Sequence, residues 1–187
     1  MTRIFTWEAF EKAHEKVLND LTAVGLLEDS SKLYKTEVFY CRLPQVHVFL
    51  AEGFFLHNDS VLGRPFGYIK GHIYVPKMNL GTFWAGRDTP IADILRHEWG
   101  HAVVYHYHKL TDQTRAWKDT FTACEGECVS DYATTDPEED WAETFMYYLK
   151  RRGKPYNKWS GGSPVADRWA YIRKVCAQVR KGKASFR

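Results

Sequence analysis

The sequence lacks any apolar run long enough to span a membrane. Its start, MTRIFTWEAFEKAHEKVLNDL, also lacks the uninterrupted apolar stretch of a secretory signal. Both absences predict a cytoplasmic chain, with export open only to a route that cleaves no signal. A strong charge of either sign is missing too. The formal net charge is +3, and the basic surplus sits mostly in the tail KVCAQVRKGKASFR. A terminal charge run of that kind reads as a solvated end, so neither nucleic acid nor a membrane is expected as a partner. Cysteine is scarce. Of Cys41, Cys124, Cys128 and Cys176, only Cys124 and Cys128 lie close together, and no second close pair completes a four-thiolate zinc site. Free thiols are the expected state in a reducing compartment, with one disulfide as the alternative. Internal repeats and low-complexity blocks are absent, which leaves a single domain over residues 1–187.

What is present is an ordinary globular composition, 44% hydrophobic and 26% charged, with a rather high aromatic share of 16%. A chain of this size buries a proper core. From Trp7 to Leu27, apolar residues fall at Trp7, Phe10, Ala13, Val17, Leu21 and Val24, which is helical spacing on one face. The runs VFYC and VHVFLAEGFFL read as strands. GYIKGHIYVPKM reads as a third, near a sheet edge, because Pro76 cannot donate to a ladder. A helix start follows, with Asp88 or Thr89 as cap and Pro90 in the first turn of IADILRHEWGHAVVYHYH. After a polar connection, Asp136 caps a second helix with Pro137 at its first position, and VADRWAYIRKVCAQV closes the chain as a third. The predicted fold class is α+β: a small, mostly antiparallel sheet packed against the HEWGH helix and the later helix.

HEWGH, from His97 to His101, carries the chemistry. Residues four apart on a helix share a face, so His97 and His101 can present two imidazole nitrogens to one cation. Glu98 is rotated by about 100° to the edge of that face. Zinc accepts imidazole and carboxylate ligands in tetrahedral geometry, and a catalytic site leaves one position for water. A carboxylate beside that position can take a proton and pass it on to a leaving amine. By chance alone, an H-E-x-x-H pattern has a likelihood of about 2% in a chain of this composition. The bland alternative is an amphipathic helix with a wet polar face. The core stripe Ile91, Ile94, Leu95, Ala102 and Val103 fits both readings.

A third ligand has to come from elsewhere. The metzincin continuation would put glycine and histidine at the positions held by Val104 and Tyr107, so that class is excluded. His106 faces away from His97 and His101, and His108 lies about 10 Å along the axis from His101, too far to share an ion. PEEDWAETF offers better candidates. Glu139 and Glu143 share a face, beside an apolar face made by Trp141, Ala142, Phe145, Met146 and Leu149. One carboxylate can bind zinc while the other accepts the second ring N–H of a ligand histidine. With Asp136 as cap, Glu139 is also placed to close a capping box instead.

HEWGHA followed by SDYATTDPEEDWAETF resembles the gluzincin metallopeptidases, in particular the anthrax lethal factor catalytic domain and bacterial zinc metallopeptidases similar to it. In that group a tyrosine precedes the ligand glutamate by seven residues and a second glutamate follows it by four, the spacing of Tyr132, Glu139 and Glu143. The resemblance spans Pro90 to Leu149, an active-site core of about residues 90–150. It implies a zincin-like domain with one zinc ion held by His97, His101 and Glu139, and with Glu98 as general base. It also implies Tyr132 as hydrogen-bond donor to the developing oxyanion and Glu143 as support behind the ligands. The stretch from His101 to Glu139 is longer than in thermolysin, which argues against that branch.

The expected function is a monomeric zinc endopeptidase acting on a protein or peptide substrate, which could pair with the segment Gly71 to Val75. Two alternatives stay open: a zinc hydrolase of non-peptide amides, and a non-catalytic domain that keeps zinc for stability or partner binding.

Overall fold

A computed structural model describes residues 6–41, 72–76, 89–121, 127–155 and 162–186. The first helix starts where Thr6 turns its hydroxyl to accept the Ala9 amide. This is α1 (Trp7–Ala23), which buries Phe10, Ala13, Val17 and Leu21 as the spacing predicts. Trp7 departs from that stripe and stays 45% exposed. The chain leaves the helix through Gly25 at φ 74°, a left-handed conformation that glycine adopts without a Cβ penalty.

VFYC forms β1 (Val38–Cys41), and β2 (Ile73–Pro76) is the described part of the third expected strand. VHVFLAEGFFL lies outside the described residues. The two strands pair in parallel, Val38 opposite Ile73 and Tyr40 opposite Val75. A mostly antiparallel sheet was the expectation, and the described pair departs from it. Parallel neighbours need a long crossover rather than a tight hairpin, and 31 residues (42 to 72) separate the two strands.

Four more helices follow: α2 (Ile91–His106), α3 (Arg115–Phe121), α4 (Pro137–Lys150) and α5 (Pro164–Arg180). The described residues are thus mostly helical. The start of α2 differs from the expected cap. Pro90 itself takes the capping position, in extended conformation and with no side-chain hydrogen bond. At α4 the expected cap forms, with Asp136 accepting the Glu138 and Glu139 amides at 2.8 and 3.0 Å. The connection read as polar contains α3, whose two turns are too short to display a period. Its Trp117 and Phe121 are buried, and they join Trp141 and Tyr171 in a cluster with ring centroids 4.6–6.3 Å apart. The high aromatic share of the composition finds much of its use there.

α2 packs against α1, β2 and α4. Val17 and Leu21 of α1, Leu95, Trp99 and Val103 of α2, Trp141 and Phe145 of α4, and Ile172 and Val175 of α5 share one core. Charged groups also run through it. Arg96 of α2, 2% exposed, donates to Asp20 of α1 at 2.7 and 3.1 Å and to Asp93 at 2.5 Å. Lys150 reaches Asp93 at 2.7 Å, and Arg152 reaches Asp20 at 2.9 Å. The free-thiol expectation holds at Cys176, whose burial pushes its thiol up to about 12. It fails at Cys128, which is held in a disulfide whose other half lies outside the described side chains. Among the described residues, no helix is long and apolar enough to cross a membrane.

Candidate metal centre

The backbones of α2 and α4 approach one another in the middle of HEWGH. A Cβ built on Gly100 would lie 2.9 Å from Ala142 Cα, so only glycine permits the approach. The Trp141 indole N–H locks it by donating to the Gly100 carbonyl at 2.9 Å. Gly100 sits between His97 and His101 in sequence, and Ala142 sits between Glu139 and Glu143. The contact therefore sets the histidine pair of α2 against the glutamate pair of α4.

The roll of α4 is fixed from its other side. Asp140 meets Arg168 of α5 at 2.5 Å, with both side chains 1% exposed, and Arg168 also donates to the Glu127 carbonyl at 2.9 Å. Burial pushes the Asp140 carboxyl up to about 6, against the downward pull of Arg168. Because Asp140 points to α5, Glu139 points to α2.

Three ligand atoms then converge. His97 Nε2 lies 3.1 Å from His101 Nε2 and 3.1 Å from Glu139 Oε2, and His101 Nε2 lies 3.6 Å from the same oxygen. Zinc–ligand bonds of about 2.0–2.1 Å in tetrahedral geometry put neighbouring donor atoms about 3.3 Å apart. The observed triangle has that size. The donor set also fits, with two imidazole nitrogens and one carboxylate and with the fourth corner of the tetrahedron left to a non-protein ligand. His97, His101, Glu139 is the one such triad among the described residues.

Glu143 takes a different place. Its Oε1 lies 2.9 Å from His97 Nδ1, on the side of the ring away from the triad. A carboxylate there holds the N–H on Nδ1 and leaves Nε2 free to ligate. This separates the two candidates that the spacing left open: Glu139 joins the triad and Glu143 stands behind it. Glu139 does not turn back to close a capping box.

The electrostatics point the same way. Burial works against a charge on His97, but hydrogen bonds to Glu139 and Glu143 and the nearby charge of Glu98 outweigh it and lift His97 to about 10. Burial likewise works against a charge on Glu139, and hydrogen bonds from His101 and His97 still hold it well below the usual carboxylate range. Glu98 itself is buried at 9% exposure. The carboxylates around His97 thus favour positive charge at the centre of the triad.

Tyr132 opens a 3₁₀ turn, Tyr132–Thr134, that packs on α4. Its ring centroid is 5.8 Å from that of His97, and it is 53% exposed, so the phenol borders the site on its open side. His106 does face elsewhere and pairs with Thr36 Oγ1 at 3.0 Å, while His108 lies beyond the end of α2. Ser130 and Arg168 escaped the reading of the sequence. Ser130 donates to Glu143 Oε2 at 2.6 Å, and a serine two residues before Tyr132 carries no signal of its own. Arg168 acts from α5, and no local pattern links it to Asp140.

Compared with protein-family models, curated proteins and solved structures, the chain gives no match.

Proposed function

We propose that this chain is a zinc-dependent endopeptidase with a zincin-like fold, as the gluzincin resemblance of its motifs implies. The observation that carries the proposal is the triangle of His97, His101 and Glu139 donor atoms, of the size one tetrahedral ion needs. Zinc held there would supply a Lewis acid that polarises a carbonyl and acidifies water. The protein's own groups do the rest. Glu98, the residue after the first ligand, takes the proton of the attacking water and delivers it to the leaving amine. Glu98 is buried, which keeps its carboxylate out of bulk solvent. Tyr132 turns its phenol toward the carbonyl oxygen and binds it more strongly as negative charge develops. Glu143 holds the tautomer of His97 throughout.

The substrate is a peptide in extended conformation. In the segment Gly71 to Val75, the Ile73 and Val75 side chains are fully buried and support β2 from the core. Any pairing with substrate along β2 would use its backbone.

Glu98→Gln tests the assignment. The variant is expected to keep its zinc and lose peptide turnover by about 10²- to 10⁴-fold, the usual worth of a positioned acid–base group. A domain that uses zinc only for stability would lose nothing. A peptide library turned over no faster than small amides would shift the reading to a non-peptide amidase.

A further inference from the structure

We propose that Ser130 is a positioning residue whose single hydroxyl latches the ligand His97 and the turn that carries Tyr132 into one unit. The inference rests on the zinc reading above and extends it to a residue outside the triad. A serine hydroxyl has one proton to give and lone pairs to receive with. Here the proton goes to Glu143 Oε2 at 2.6 Å, a short charge-assisted bond. The lone pair receives the Ala133 amide at 3.2 Å, from inside the Tyr132–Thr134 turn. Glu143 spends its other oxygen on His97 Nδ1 at 2.9 Å. The chain Ala133 N–H, Ser130 Oγ–H, Glu143, His97 therefore runs without a break from the turn to the ligand ring.

The direction of every bond in the chain is set. The Ala133 amide can only donate, so Ser130 must turn its own proton toward Glu143. The carboxylate then stands with Oε1 facing the ring, and His97 presents Nε2 to His101 and Glu139. Glu143 and Ser130 meet no lysine or arginine among the described residues, so no other strong donor competes for the carboxylate. Without the hydroxyl, Glu143 is free to rotate about its last torsion, and the turn bearing Tyr132 loses the bond at its start. A mere turn cap would act on the turn alone. The latch acts on metal binding, and it acts through Glu143.

The test is zinc affinity, measured by competition with a chromophoric chelator. The proteins are the full chain, Ser130→Ala, Ser130→Thr, Glu143→Ala and the double variant Ser130→Ala/Glu143→Ala. Supporting groups behind a ligand histidine are worth about 10- to 100-fold in metal affinity. Ser130→Ala is expected to bind zinc about tenfold more weakly and Ser130→Thr close to wild type. The double variant should bind no more weakly than Glu143→Ala. Affinity unchanged in Ser130→Ala, or a loss that adds in full to that of Glu143→Ala, would overturn the latch while leaving the zinc site intact. Glu143→Gln provides an independent reading if Ser130→Ala does not fold, because its amide cannot accept from Ser130 and His97 together. Wild-type affinity in that variant would also overturn the latch. A wild-type chain that takes up no zinc would instead sink the metal reading itself.

Discussion

Two sets of charged groups gather around α2, and they are composed in opposite ways. Toward the start of α2, Asp20 and Asp93 meet Arg96, Lys150 and Arg152, all within 3.1 Å. One turn further along, Glu139 and Glu143 meet only His97, His101 and Ser130 among the described residues. The first set has three cations for its two carboxylates, so every carboxylate has a fixed cationic partner. The second contains no fixed cation, and its two histidines are good metal ligands once deprotonated. Charge of the first kind holds helices together. Charge of the second kind has no fixed cation of its own, which is what sets the proposed metal centre apart from the structural network beside it.

Removing Arg96 should break that contrast most severely. Arg96→Ala leaves the buried Asp20 and Asp93 with only the half-exposed Arg152 and Lys150 as partners, and the expected loss is about 3 kcal/mol of folding stability, read by urea unfolding with or without zinc. A loss below about 1 kcal/mol would mean that the network is no more than a set of surface-strength pairs. Gly100→Ala comes next, because its Cβ would have to displace the Ala142 backbone. About 1–3 kcal/mol of stability should go, and zinc affinity should fall with it as the ligand pairs are wedged apart. Wild-type affinity in a folded Gly100→Ala protein would show that the close approach does not set the ligand geometry.

The smallest effect comes from a third environment on α2. Near the end of the helix, burial and the charges of Lys32, His72 and Lys35 push His106 down to about 4. His97, nine residues earlier and facing carboxylates, is pushed the other way. The folded protein therefore keeps His106 neutral at a pH where the unfolded chain, titrating near 6.5, takes up a proton. Stability contributed by this group is complete above about 6.5 and declines as pH falls toward 4. The urea midpoint should trace that decline, and His106→Gln should flatten its share of it. An unchanged slope in the variant would remove His106 from the account.

Much of the site was open to reading because its parts are local. His97, Glu98 and His101 lie within one helical turn and a residue, and Glu139 and Glu143 lie one turn apart behind a Pro137 start signal. Periodicity and capping rules act over that range, so α1, α4 and α5 were also visible, as was the apolar face from Trp141 to Leu149. What decides between Glu139 and Glu143 is not local. It depends on the roll of α4, set by Asp140 reaching Arg168 on another helix and by Gly100 admitting Ala142. Ser130 was hidden for the same reason, since its role is defined by Glu143 across a turn. The parallel pairing of β1 and β2 is a long-range fact, and α3 is too short to announce itself.

The central claim is that His97, His101 and Glu139 hold one zinc ion. Metal content of the purified chain, together with zinc titration at neutral pH, tests it most directly against His101→Ala and Glu139→Ala. The account expects one zinc per wild-type chain and a loss of stoichiometric binding in both variants, with Glu143→Ala weakened but still able to bind. A wild-type chain that neither carries nor takes up zinc, or a Glu139→Ala variant that binds it undiminished, would contradict the account.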